Sequence, residues 1–190
     1  INTGDPQSIL DASIFFDFRC VYGKESLIED LRKDVNKALD HKSVFFYHLA
    51  QSITKYKAPL SLFGKIVDKN HSGDRVNVDV KKILLPVVGC IRLYALHNKL
   101  TETNTLDRVR LLHAKEVINN SMFNELVIAY NYLMQMRFRF QTMSLLQNKE
   151  PDNIIDIKKL THIEVATIKK IFGEITNLQT KLNFDFKGTM

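Results

Sequence analysis

The sequence has no tryptophan, two cysteines, four prolines and seven glycines among 190 residues. Each shortage excludes something. Two cysteines, Cys20 and Cys90, are too few for the disulfide framework of a small secreted domain, and a reducing, cytoplasmic compartment is expected. Two lone cysteines also make a poor zinc site. So little glycine and proline rules out collagen-like and low-complexity chains. No apolar run approaches the roughly 20 residues that cross a bilayer. The longest, residues 83–96, is short and contains Arg92. Blocks of five or six basic residues are missing too. The excess of 27 Lys and Arg over 21 Asp and Glu, a net charge of +6, therefore reads as solvated helix surface, and nucleic acid is not the expected partner.

What is present is an ordinary globular composition, 45% hydrophobic and 25% charged, enough to bury a core. The chain opens on Ile1 rather than Met and is expected to begin within a longer product. Residues 12–22 are rich in aromatic and β-branched types and end at Gly23, which predicts a strand. A strand alone makes no sheet, so its partners are expected outside this chain. Ser26 and Glu29 have capping-box spacing, and Leu27, Leu31, Val35, Ala38 and Leu39 follow at helical period. A second helix is expected on Val44, Phe45, His48, Leu49 and Ile53, closed by Pro59. Residues 62–80 suggest two short strands around a turn, a candidate β-hairpin set against a plain surface loop.

Residues 80–99 are apolar nearly all round, which predicts a central helix. Pro86 is expected only in its first turns or at a kink. Asn104 can cap the next helix, with Val109 and Leu112 inward. A long helix is predicted over 122–148, on the stripe Phe123, Leu126, Val127, Tyr130, Leu133, Met134 and Phe138. Thr161 and Glu164 form another capping box, ahead of Ile168, Ile171, Phe172, Ile175, Leu178 and Leu182. The fold class is therefore mainly α, a bundle of five to six helices with a leading strand and a candidate short hairpin.

Enzyme motifs are scarce. There is no Gly-rich phosphate loop, no GxGxxG and no His-Glu-x-x-His. The residues that invite chemistry are arginines on apolar helices. Arg92 shares a face with Leu85, Val88 and Leu96. Arg137 lies one turn before Gln141, and Arg139 sits between Met136 and Met143 at helical spacing. A guanidinium keeps its charge, so burial requires a carboxylate, a phosphate or several carbonyls. Asp17, Asp79 and Asp107 are the candidate carboxylates. Two readings stay open: internal ion pairs that fix helix register, or an anion-binding wall between helices. Asp79, ahead of Lys81 and Lys82, is explained by helix capping alone.

Several of these segments resemble one family. Phe15-Phe16-Asp17-Phe18-Arg19 is similar to a segment near the end of nucleotidyltransferase domains in bacterial signalling proteins. Val78-Asp79-Val80-Lys81-Lys82, Ile91-Arg92-Leu93-Tyr94-Ala95-Leu96 and Thr103-Asn104-Thr105-Leu106-Asp107-Arg108-Val109 resemble the helical domain that follows, the putative nucleotidyltransferase substrate-binding domain. Arg137-Phe138-Arg139-Phe140-Gln141 matches a further stretch of it, with Phe140 where His is common, and Asp152-Asn153-Ile154-Ile155 and the last helix match as well.

The resemblance implies residues 1–24 as the end of a transferase-like domain and 25–190 as the helical domain. It implies an accessory, substrate-positioning role in a signalling protein related to the PII-protein uridylyltransferases, often joined to cyclic-nucleotide-binding and CBS modules. The Mg2+ and NTP would belong to the parent protein. The Gly-Ser and Asp-x-Asp motifs that hold them do not occur in this sequence, so it is not expected to catalyse alone. The cleft candidates are Asp79, Lys81, Arg92, Thr105, Arg108, Arg137, Arg139 and Gln141, with Asp17 and Arg19 at the domain junction. Expected partners are the transferase domain of the same polypeptide, a nucleotide or protein acceptor, and a second copy of the chain. The alternative is a structural or regulatory interaction module with no ligand of its own.

Overall fold

The computed structural model describes residues 15–40, 43–59, 66 and 77–187. In chain order the elements are α1 (Glu25–Leu39), α2 (Ser43–Thr54), β1 (Asn77–Asp79), α3 (Val80–His97), α4 (Thr105–Ala114), α5 (Asn120–Leu146), β2 (Ile154–Asp156), a 3-10 turn (Ile157–Lys159) and α6 (His162–Lys187). Among the described residues the molecule is a mainly α helical bundle with one short two-stranded sheet.

Helix α3 is the axis of the bundle and packs on α2, α4, α5 and α6. Its all-round apolar sequence is the cause: a helix flanked on every side must bury nearly every face. Ten of its residues are buried, among them Ile83, Leu84, Val87, Ile91 and Leu93. Pro86 lies in the second turn and is buried as well. Its missing N–H leaves the carbonyl four residues back without an intrahelical donor. That carbonyl belongs to the exposed Lys82, where water can serve it. Gly89 faces α2, and a Cβ there would lie 3.0 Å from Ile53 Cγ1, so the missing side chain sets how closely α2 and α3 approach. From α6, Phe172, Ile175 and Leu182 close the core, each burial favouring folding by roughly 1.5–3 kcal/mol.

Helix ends follow side-chain chemistry. Asp79 accepts the N–H groups of Lys81 and Lys82, and Asn104 those of Leu106 and Asp107. The Thr161–Glu164 capping box forms in both directions. At the other ends, α3, α4 and α5 are followed by Lys99, Glu116 and Asn148, all at positive φ (55°, 57° and 53°). The residue after each returns a hydrogen bond into the last turn, as Val117 N–H does to the Leu112 carbonyl. A chain short of glycine thus uses other residues in the left-handed region. Gln179, buried on α6, donates to the carbonyls of Ile53 and Tyr56 and satisfies the end of α2.

Four expectations are corrected. Phe15 is helical and residues 16–22 form a turn and irregular chain, not a strand; residues 12–14 lie outside the described residues. Phe16 and Phe18 instead pack singly, Phe16 edge-on against Phe45 and Phe18 beneath Arg32. Ser26 is not a cap: α1 starts at Glu25 with Lys24 as N-cap and no side-chain cap bond. The α1 apolar face is also mostly not core, with Leu39 packed half-buried against it. No residue of α1 is buried, and Leu27 is 68% exposed. Finally, Phe138 is exposed on α5, where Ala129 and Met136 are buried instead. Most of the candidate hairpin lies outside the described residues. Its described end, β1, pairs antiparallel with β2, Val78 opposite Ile155.

Candidate functional site

The candidate residues divide into two groups at opposite ends of α3. Around the start of that helix, Val80 N–H donates to the Asn153 carbonyl at 2.9 Å. The Asn153 side chain then accepts from Arg137 Nε at 2.8 Å and from Gln141 Nε2 at 3.3 Å. One turn of α5 separates Arg137 from Gln141, so helical spacing aims both at the same amide oxygen. Arg137 is half-buried and faces no carboxylate among the described residues. Asp79 is spent on the α3 cap, and Lys81 is exposed.

The second group lies twelve residues along α3, about 18 Å at the helical rise. Here Asp17 receives two arginines. Arg92 donates through Nε and Nη2 to Asp17 Oδ2, at 3.0 and 2.5 Å. Arg108, on α4, donates through Nη2 to Asp17 Oδ1 at 2.5 Å and through Nε to the Glu102 carbonyl at 2.6 Å. The Arg108 side chain is only 6% exposed, against 20% for Arg92 and 22% for Asp17. Two guanidinium groups on one carboxylate leave an excess positive charge. Of the three candidate carboxylates, only Asp17 takes these arginines. Asp107 pairs with Arg110. Thr105 is the first residue of α4.

Arg139 belongs to neither group. It is exposed, donates to Glu164 Oε1 at 2.5 Å and lies over the Phe140 ring. Glu164 is held below the usual carboxylate range by the Thr161 backbone N–H and then by Arg139. That ion pair locks α5 to the start of α6. Arg19 is exposed.

Sequence reasoning missed a groove of about 570 Å³ between α5 and α6, floored by Val87, Leu126, Ala129 and Ile175 and lined also by Glu116, Glu125 and Glu174. Its three carboxylates outnumber its one ammonium, Lys181, and repel phosphate, so the cationic clusters suit an anion better than this cavity does. No sequence pattern signals it, because its acids come from three separate segments. Among the described residues no three His, Cys, Asp or Glu side chains gather as a metal ion requires, and no helix is long and apolar enough to cross a membrane.

The model of one family, described as putative nucleotidyltransferase substrate binding domain, matches residues 43–186. No curated protein and no solved structure matches the chain.

Proposed function

The chain belongs to this nucleotidyltransferase substrate-binding family, and on that premise we propose that it binds or positions the substrate of a nucleotidyltransferase without catalysing transfer itself. The match spans α2 to α6 and includes Arg92, Arg108, Arg137 and Gln141. The observation that carries the reading is Arg137. Arg92, Arg108 and Arg139 each face a carboxylate, whereas among the described residues Arg137 meets only the neutral Asn153 amide. A half-buried guanidinium with donors to spare is an anion receptor.

The finer reading follows the sequence resemblance. The parent is a bacterial, cytoplasmic signalling protein related to PII uridylyltransferases. Its neighbouring domain supplies Mg2+ and the NTP chemistry, and a nucleotide or an acidic protein acceptor meets Arg137 and Gln141. A second copy of the chain is a further partner. The competing reading, a structural or regulatory module without a ligand, draws support from Arg92 and Arg108, whose charge is used on Asp17.

Titration calorimetry with UTP and ATP on the chain joined to its transferase domain separates the two. Arg137→Ala is expected to weaken binding about 10- to 100-fold, the loss of one charge-assisted contact, with little change in melting temperature. Arg139→Ala leaves affinity unchanged. A lowered melting temperature with binding intact makes Arg137 structural.

A further inference from the structure

Arg92 and Arg108 come from helices inside the family match, while Asp17 lies outside it, in the segment that precedes residue 43. The bundle builds the cationic pair, and an appended arm fills it. Among the described residues the rest of that arm is largely exposed. Phe15, Val21 and Tyr22 are 79%, 86% and 98% exposed, and α1, which follows, buries no residue. Among the described residues its contacts include Phe16 and Leu39 against the core, Phe16 edge-on to Phe45, Arg32 with Phe18 and the exposed Lys99–Asp40 pair.

We propose that Arg92 and Arg108 form a phosphate-binding clamp and that Asp17 occupies it as a tethered internal anion, which a phosphate group displaces. The site is separate from Arg137, and the inference does not depend on the role given to that residue.

Charge and burial support it together. The side chain of Arg108 is 6% exposed, and its guanidinium cannot deprotonate. An arm that left with nothing in its place would give up a close ion pair for water, and an arriving anion lowers that cost. Asp17 brings one negative charge to two positive ones and gives one oxygen to each arginine. A phosphate dianion balances both charges and offers more oxygens in the fork geometry that guanidinium groups favour. Arm release and phosphate binding are then reciprocal: each promotes the other by the same factor. Asp17 competes with the advantage of a tether, for which effective concentrations are in the mM range.

The test uses the full chain, with sodium pyrophosphate, orthophosphate and UTP as probes and sodium chloride at matched ionic strength as control. Arm release is read from the modification rate of Cys20, which sits in the arm, since Cys90 is buried. Pyrophosphate is expected to speed Cys20 modification several-fold, and Asp17→Asn to tighten pyrophosphate binding on the order of tenfold by removing the tethered competitor. Arg92→Met should abolish both effects. If UTP acts and the inorganic ions do not, the phosphate is recognised as part of a nucleotide; if pyrophosphate suffices, it is recognised alone. Should Asp17→Asn fail to fold, the Cys20 rate in the natural chain still decides. A rate that no phosphate probe changes, or that sodium chloride changes equally, overturns the clamp and leaves a structural ion pair.

Discussion

Tyr94 Oη donates to Asp185 Oδ2 at 2.6 Å, tying the last turn of α3 to the last turn of α6. Lys181 Nζ holds the same oxygen at 2.8 Å. Burial, and then this hydrogen bond, push the Tyr94 hydroxyl far above the usual phenol range, so it stays a donor wherever the protein is folded. Tyr94→Phe is expected to cost about 1 kcal/mol in urea unfolding, the net worth of one hydrogen bond. The loss stays small because Lys181 keeps the carboxylate paired. A loss above about 3 kcal/mol would mean that Asp185 depends on Tyr94 alone.

Glu116 follows α4 at φ 57° with its side chain exposed. A residue with a Cβ is strained there by roughly 1–2 kcal/mol, and glycine is not. Glu116→Gly is therefore expected to raise stability by about 0.5–1 kcal/mol after the entropy of the freer unfolded chain is subtracted. Denaturant melts measure the shift, and a net loss would show that Glu116 serves in the acidic groove.

Glu164 links pH to stability. Its folded carboxyl is held low by the Thr161 N–H and by Arg139. A depressed carboxylate contributes its full stability above its unfolded value, about 4.3, and loses it as pH falls through the folded value. Glu164→Gln should cost about 1 kcal/mol at pH 7, the scale of a helix cap. The gap to the natural chain should close as the pH is lowered below about 4. A gap that persists at low pH would assign the loss to packing.

Much of the bundle is legible along the chain. The period of α3 announced a helix buried on all sides because no other placement shields so many apolar residues. Asn104, Asp79 and the Thr161–Glu164 pair marked helix starts because a cap acts over two or three residues. The same locality explains the false signals. Ser26 and Glu29 have the right spacing, but α1 begins at Glu25, two residues ahead of where a Ser26 cap would start it, and leaves that cap unused. Residues 15–22 have strand-like composition but do not join the β1–β2 sheet, and Phe16 and Phe18 pack singly.

The arginines mark where the sequence stops informing. Composition and spacing determined that permanently charged side chains would lie on half-apolar helices and would need anions. Which anion each received was decided by tertiary structure alone. Asp17 reaches Arg92 across 75 residues and Arg108 across 91, while Asp79 and Asp107 serve their own helices and Arg137 is left with an amide. Strand pairing went the same way, β1 meeting β2 far along the chain. Local periodicity records which face of an element seeks cover. It does not record what covers it, because a long-range contact depends on the packing of every helix between its two ends.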